Sequence, residues 1–305
     1  LKFAAIDIGS NAVRLLIADI IETPDNLNIT KLSLVRVPLR LGASVFDSGK
    51  ISGSKTKKLI KTIKAFRYLI DVYEVRDWRA CATSAMREAE NSTEVLDRVK
   101  QFTGVNIEII NGQSEANLIF STFKTQKLDP TRTYLYIDVG GGSTEITLLK
   151  NAKRVRARSF KIGTVRMLKQ KVTTKAWREM TSWVEEITAG EQNIIAIGTG
   201  GNINRLFKMS GLGHGELMPL SQLQALHTSI AELTLEERIL KFRLRPDRAD
   251  VIVPAGEIFL NVLTAASIDR ISVPKIGLSD GIALHLFQLH TSIQKEAMKK
   301  KASVE

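Results

Sequence analysis

Twice in this chain an apolar run ends in an aspartate, passes through a glycine turn and resumes as a second apolar run. The first copy, FAAIDIGSNAVRLLIADI from Phe3, reads as a strand, Asp7, then Gly9, Ser10 and Asn11, then a strand carrying Arg14. The second, TYLYIDVGGGSTEITLLK from Thr133, reads as a strand, Asp138, then Gly140, Gly141 and Gly142, then Ser143, Thr144 and Glu145 before the next apolar run. Apolar alternation on both sides of a short glycine turn specifies a β-hairpin. A separation of about 130 residues is a domain length. The repeat therefore predicts two related halves, each offering its turn to a shared cleft. Glycines tolerate positive φ and carry no Cβ, so several backbone N–H groups can converge on one anion. Hydroxyls and carboxylates at the rim suit a phosphate that arrives with a divalent cation. A hairpin of small residues accounts for one copy; two copies are harder to explain by packing.

The rest of the chain follows an α/β pattern. Residues 3–6, 13–20 and about 29–39 read as strands, with a turn at Pro24, Asp25 and Asn26 and a loop across 42–53. Leu59, Ile63, Phe66 and Ile70 then fall at helical spacing, with lysines 55, 57, 58, 61 and 64 mostly on the solvated faces. A strand at 78–82 runs into Thr83-Ser84-Ala85-Met86-Arg87, and ligands usually sit at the C-terminal end of such a strand. Asn91 and Glu94 have capping-box spacing. A strand at 105–110 leads through Asn111-Gly112-Gln113-Ser114-Glu115 into a helix with Leu118, Ile119 and Phe123. Residues 124–132, with Pro130, mark a boundary, giving expected domains 1–125 and 126–305. The second domain repeats the order: strands at 134–138, 145–149 and 154–162, a helix from Thr174, a strand at 194–197, then Gly198-Thr199-Gly200-Gly201-Asn202. Thr234 and Glu237 cap a later helix, and Ser279 or Asp280 caps the last one.

The net charge of +12, from 44 basic against 32 acidic side chains, favours a polyanionic partner. No basic–aromatic repeat or recognition helix points to a nucleic-acid duplex. One cysteine excludes an intrachain disulfide framework and fits a cytoplasmic location. Cys81, in an apolar strand, reads as a buried bystander. No signal-peptide succession and no spanning apolar run is evident, so no membrane partner is expected. The four histidines have no metal-site spacing.

Five motifs, in order, carry a resemblance: Asp-Ile-Gly-Ser-Asn-x-x-Arg-Leu at 7–15, Ala-Thr-Ser-Ala-Met-Arg at 82–87, Asn-Gly-Gln-Ser-Glu-Ala at 111–116, Asp-Val-Gly-Gly-Gly-Ser-Thr-Glu at 138–145 and Ile-Gly-Thr-Gly-Gly at 197–201. Together they resemble the exopolyphosphatase/guanosine pentaphosphate phosphatase family, of the sugar kinase, Hsp70 and actin superfamily. The resemblance spans almost the whole chain and implies two ribonuclease-H-like (actin-like ATPase) domains around a cleft, with the last helix packing back on the first domain. It matches the short two-domain members, and a homodimer is a further expectation.

The implied reaction is hydrolysis of a terminal phosphoanhydride, of inorganic polyphosphate or of guanosine pentaphosphate. The resemblance makes Glu115 the general base, a role suited to a carboxylate at a helix start, where an ordinary helix-terminal acid is the alternative. Asp138 and Glu145, with Asp7 as the weaker candidate, become ligands of Mg²⁺ or another divalent cation. Gly9, Ser10, Asn11, Gly140, Gly141, Gly142, Ser143 and Thr144 become phosphate donors, and Arg14 and Arg87 phosphate-contacting guanidiniums. An unpaired Arg14 in an apolar strand would be costly, which favours a ligand role. Arg166 is a further cleft candidate. Lys161, Lys169, Lys171 and the arginines at 243–248 read equally as a polyanion track or as surface. Ser114 and Asn117 stand where many relatives carry an acid and an arginine. A superfamily kinase and a non-catalytic polyphosphate or nucleotide sensor remain alternatives.

Overall fold

The structure, a computed structural model, describes residues 1–23, 26–122, 128–151 and 153–302. Pro24 and Asp25 of the expected turn, Phe123 of the expected helix and residues 124–127 of the expected boundary lie outside the described residues. Strands β1 (Lys2–Ile8), β2 (Val13–Thr23) and β3 (Asn26–Val37) form an antiparallel meander. β4 (Asp77–Ala82) and β5 (Ile107–Ile109) run parallel to β1 on its other side, in the order β3-β2-β1-β4-β5. The second sheet repeats this with β6 (Thr133–Val139), β7 (Thr144–Lys150), β8 (Lys153–Phe160), β9 (Ile195–Thr199) and β11 (Arg270–Ser272), and adds β10 (Leu217–Pro219) at one edge. A three-strand meander joined to two parallel strands is the ribonuclease-H-like arrangement, and it occurs twice.

The repeat extends to individual rungs. Asp7 pairs across the ladder with Arg14, and its counterpart Asp138 pairs with Glu145. The Gly9 N–H closes its turn on Ala12 O at 3.1 Å, and the Gly140 N–H closes on Ser143 O at 2.9 Å. Each sheet has a register shift at matching points, Ile17/Ala18 and Leu148/Leu149. Such bulges increase local twist.

Helices α1 (Leu41–Ser48), α2 (Gly53–Val72), α3 (Ser84–Glu88), α4 (Ser92–Thr103) and α5 (Gly112–Ser121) belong to the first half. The second contains α6 (Thr164–Leu168), α7 (Thr174–Thr188), α8 (Gly201–Met209), α9 (Leu220–Ala231), α10 (Leu235–Phe242), α11 (Pro246–Ala249) and α12 (Ile252–Ala265), before the closing α13 (Leu278–Ala302). Both faces of β1 are buried, which explains its near-continuous apolar run. Ala4, Ile6 and Ile8 meet Leu59, Ile63 and Phe66 of α2 and Val95 and Val99 of α4 in one core. In the second half, Leu135 and Ile137 meet Met180, Trp183 and Val184 of α7 and Phe259 of α12. A third core joins the remaining faces: Phe3, Ala5 and Leu16 with Tyr134, Tyr136, α5 and α13. Phe3 meets Phe287 of α13 edge-on at 6.1 Å. Gly281 lets α13 cross α5 closely, since a Cβ there would lie 2.2 Å from Leu118 O.

Local sequence rules failed in two places. Residues 41–48 are helix α1 where a loop was expected. Its glycines have separate jobs: Gly42 passes close to Ser10, and Gly49, at φ 75°, ends the helix. Asn91 precedes α4 without capping it, because its side chain bonds both the N–H and the O of Ile51. The expected capping box at Thr234 and Glu237 is present. No described helix is long and apolar enough to cross a membrane.

Candidate active site

The two glycine turns meet at one end of a cleft of about 570 Å³ lined by both halves. Neither Gly9 nor Gly140, Gly141 and Gly142 has positive φ. Their small size serves approach instead. A Cβ on Gly141 would lie 3.0 Å from Ser10 Cβ, and one on Gly142 would lie 2.3 Å from Ser84 Oγ. Asp7, Gly9, Ser10, Asn11, Arg14, Glu115, Asp138, Gly140, Gly141, Gly142 and Ser143 all line the cleft. Thr144, Glu145 and Arg87 are not among its lining residues. The buried Thr144 hydroxyl donates to Ile162 O at 2.7 Å. Glu145 lies opposite Asp138 on the ladder, its Oε1 accepting from Ser159 Oγ at 2.7 Å. Arg87 donates to Ile110 O at 2.7 Å.

Glu115, Asp138 and Glu145 bring carboxylate oxygens within 4.8 Å of one another. Asn111 caps α5 through the Ser114 N–H and so sets Glu115 in the first turn. Burial is the main cause of a strongly raised Glu115 pKa, followed by the charges of Glu145, Asp138 and Asp7, with Arg87 opposing. Burial also pushes Glu145 up to about 7, helped by Asp138 and opposed by Ser159, Ser143 and Arg87. Asp138 is raised by burial too, against a Thr199 hydrogen bond and the charge of Arg14. Glu115 Oε2 is buried without a protein partner. Crowded hard oxygens that resist charging, one of them unpartnered, fit a divalent cation.

Asp7 stands apart from this trio, because its Oδ2 accepts from Arg14 Nη1 at 2.7 Å. Arg14 is therefore paired, contrary to the expectation that drew attention to it. The counterpart rung carries two acids, so the first hairpin neutralises itself and the second concentrates negative charge.

Much of the remaining lining is cationic. Arg36, Arg205, Arg243, Arg245 and Arg248 belong to it. Arg248 donates to Gly201 O at 2.5 Å, and its pKa falls to about 10, mainly through burial and then through Arg36 and Arg14. Arg36 and Arg205 were missed because each looks like an ordinary polar residue in an amphipathic segment. Among the described residues, six buried side-chain polar atoms lack partners. Five belong to cleft-lining residues: Asn11 Oδ1, Arg36 Nε, Glu115 Oε2, Asn204 Oδ1 and Arg205 Nε. Buried polar atoms normally find partners, so this concentration marks a ligand site. Lys161, Lys169 and Lys171 are not among the lining residues. Arg166 is buried beneath the Gly140–Gly142 turn. Asn117 accepts from Arg154 of β8.

Paired ribonuclease-H-like sheets, an acidic trio and an arginine-lined cleft that Glu115 and Asp138 join fit an enzyme acting on phosphoanhydrides, the class to which the similar proteins belong. The chain belongs to the Ppx/GppA phosphatase family, whose profile matches residues 20–290. It is 26% identical to "Exopolyphosphatase 1" of Mycobacterium tuberculosis (strain ATCC 25618 / H37Rv) over 305 aligned residues, covering 93% of this chain and 88% of that relative. The crystal structure of an exopolyphosphatase from Cytophaga hutchinsonii ATCC 33406 matches at TM-score 0.81 and 25% identity, over 94% of this chain and 98% of the other. The crystal structure of the Aquifex aeolicus Ppx/GppA family member matches at TM-score 0.74 and 27% identity, over 97% and 98%.

Proposed function

We propose that this chain is an exopolyphosphatase that releases orthophosphate from the end of inorganic polyphosphate. The observation that carries the reading is the polarity of one cleft, with Glu115 and Asp138 in its lining, Glu145 crowded behind them, and half-buried and exposed arginines along the rest of it. A polyanion end can be attacked at the carboxylates while the chain is neutralised by the arginines. In this reading 1–125 and 126–305 are the two domains, supported by their repeated sheet order.

Glu115 is the general base. Burial and the neighbouring acids raise its pKa and so strengthen it as a proton acceptor, and its unpartnered Oε2 is free to accept the proton of an attacking water. Water oxygen forms a bond to the terminal phosphorus, the bridging P–O bond breaks, and the shortened chain leaves with the bridging oxygen. Asp138 and Glu145 would hold a divalent cation, Mg²⁺ in this reading, whose charge neutralises phosphoryl oxygens. Ser10, Asn11 and the amides of Gly141, Gly142 and Ser143 hold the terminal phosphoryl group. Arg14 contacts it while tied to Asp7. Arg87 acts on Glu115 through charge. Arg36, Arg245 and Arg248 take the following phosphates.

Guanosine pentaphosphate is the second reading. Leu34, Leu244, Ile276 and Leu278 add apolar surface to the same cleft, on which a nucleoside end could rest. The test is phosphate release with Mg²⁺ from long-chain polyphosphate and from guanosine pentaphosphate, by wild type and Glu115→Gln. The expected result is rapid release from polyphosphate and a loss of about 10²–10⁴-fold in the variant. Release from neither substrate, or an unimpaired variant, refutes the reading.

A further inference from the structure

Behind the second glycine turn the chain builds a cradle. The N–H of Thr164 donates to Gly140 O at 3.0 Å, and that of Val165 donates to Gly141 O at 2.8 Å. Gly163 makes this approach feasible, since a Cβ there would lie 2.5 Å from Gly142 C. The third carbonyl, that of Gly142, accepts from the Arg166 side chain, Nε at 2.8 Å. The matching carbonyl in the first hairpin, that of Asn11, accepts from a backbone N–H, that of Arg40, at 2.9 Å. Arg166 thus supplies from its side chain what the first half supplies from its main chain.

With these carbonyls drawn back, the N–H groups of Gly141, Gly142 and Ser143 have no acceptor among the described residues, and all three residues line the cleft. A trans peptide points its N–H away from its C=O, so fixing Gly142 O also fixes the direction of the Ser143 N–H. Arg166 is itself fixed from the other half. Its Nη2 donates to Glu88 Oε1 at 2.6 Å, and its guanidinium lies 4.0 Å from the centre of the Phe46 ring. Glu88 also accepts from Ser84 Oγ at 2.9 Å.

We infer that Arg166 is a positioning residue that aims the Gly142–Ser143 amide at the phosphoryl group, with Glu88 holding its guanidinium in register across the two halves. The inference rests on the proposed phosphate-releasing function of this cleft. It deepens that reading by separating the grip on the terminal phosphate from the grip on the chain. Donors at the reacting phosphoryl act on kcat, whereas the arginine wall sets KM for long chains. Lysine at position 166 can reach Gly142 O or Glu88, but its single ammonium lacks the planar fork that engages both.

The experiment compares Arg166→Lys, Arg166→Met and Glu88→Gln by calorimetric binding of orthophosphate, steady-state kinetics on long-chain polyphosphate and thermal unfolding. Arg166→Met is expected to lose about a hundredfold in kcat and Arg166→Lys about tenfold, with orthophosphate affinity falling in the same order and KM for the long chain within about twofold. Glu88→Gln, which leaves the Gly142 contact in place, is expected to lose a few-fold in both readouts. Folded Arg166 variants with wild-type kcat and orthophosphate affinity overturn the inference, even if they melt earlier. If the Arg166 variants do not fold, wild-type behaviour of Glu88→Gln overturns it. An inactive wild type would retire the proposed function, while the orthophosphate affinities would still decide the role of Arg166.

Discussion

Replacing Glu145 by glutamine should stabilise the metal-free protein above neutral pH and leave it unchanged in acid. Glutamine keeps the oxygen that accepts from Ser159 and removes only the ability to ionise. Burial first, and Asp138 second, lift Glu145 from its ordinary 4.5 to about 7. An acid with a raised folded pKa holds a proton that the unfolded chain has already released. Stability therefore falls as pH rises from about 4.5 to about 7 and is flat beyond that. Each pKa unit corresponds to about 1.4 kcal/mol, so the carboxylate costs about 3 kcal/mol at pH 8. Chelator-treated wild type and Glu145→Gln would be unfolded in urea at several pH values between about 4 and 8.5. Their difference should open through the same window and close again for wild type when Mg²⁺ is added, because a ligand of the folded state stabilises it. A Glu145→Gln that is equally destabilised at both ends of the range would refute the reasoning.

Other outcomes follow from the same contacts. Gly142→Ala drives a methyl group against Ser84, Phe46 and Ser10, and should cost about 1–3 kcal/mol in denaturant unfolding while lowering phosphate release. Arg36→Met leaves the mostly buried Asp247 without its guanidinium and should cost about 3–5 kcal/mol, much of it recovered in the Arg36→Met/Asp247→Leu double variant; additive losses in this cycle would deny the coupling. Cys81 has its thiol pushed up to about 12, chiefly by burial, so a thiol reagent at about pH 8 should label it only as fast as the fold opens; immediate labelling would contradict that burial.

The sequence showed the repeated hairpins because polar residues interrupt strands that are otherwise buried on both faces. Asp7 and Asp138 stand out against that background, and Glu115 stands out through its cap. What it hid was partnership across the fold. Arg14 looked unpaired because Asp7, its ladder partner, is seven positions away along the chain. The glycines suggested unusual φ, whereas their reason is the meeting of two turns far apart in sequence. Arg36 and Arg205 are local commonplaces whose partners are distant in sequence, Asp247 of the second half for Arg36 and Phe242 O for Arg205. Helix α1 was read as a loop because both of its glycines answer to tertiary neighbours, Ser10 and Glu90.

The placement of α13 has a consequence for the order in which the chain is made. Phe3, Ala5 and Leu16 leave the ribosome well before their cover, Ile282, Leu286 and Phe287. The same late helix crosses α5 at Leu118, one turn beyond Glu115. During synthesis the first sheet therefore waits with one apolar face uncovered, a state open to capture by chaperones or by other nascent chains. The carboxylate trio gains the support of α13 behind α5 only when that helix docks.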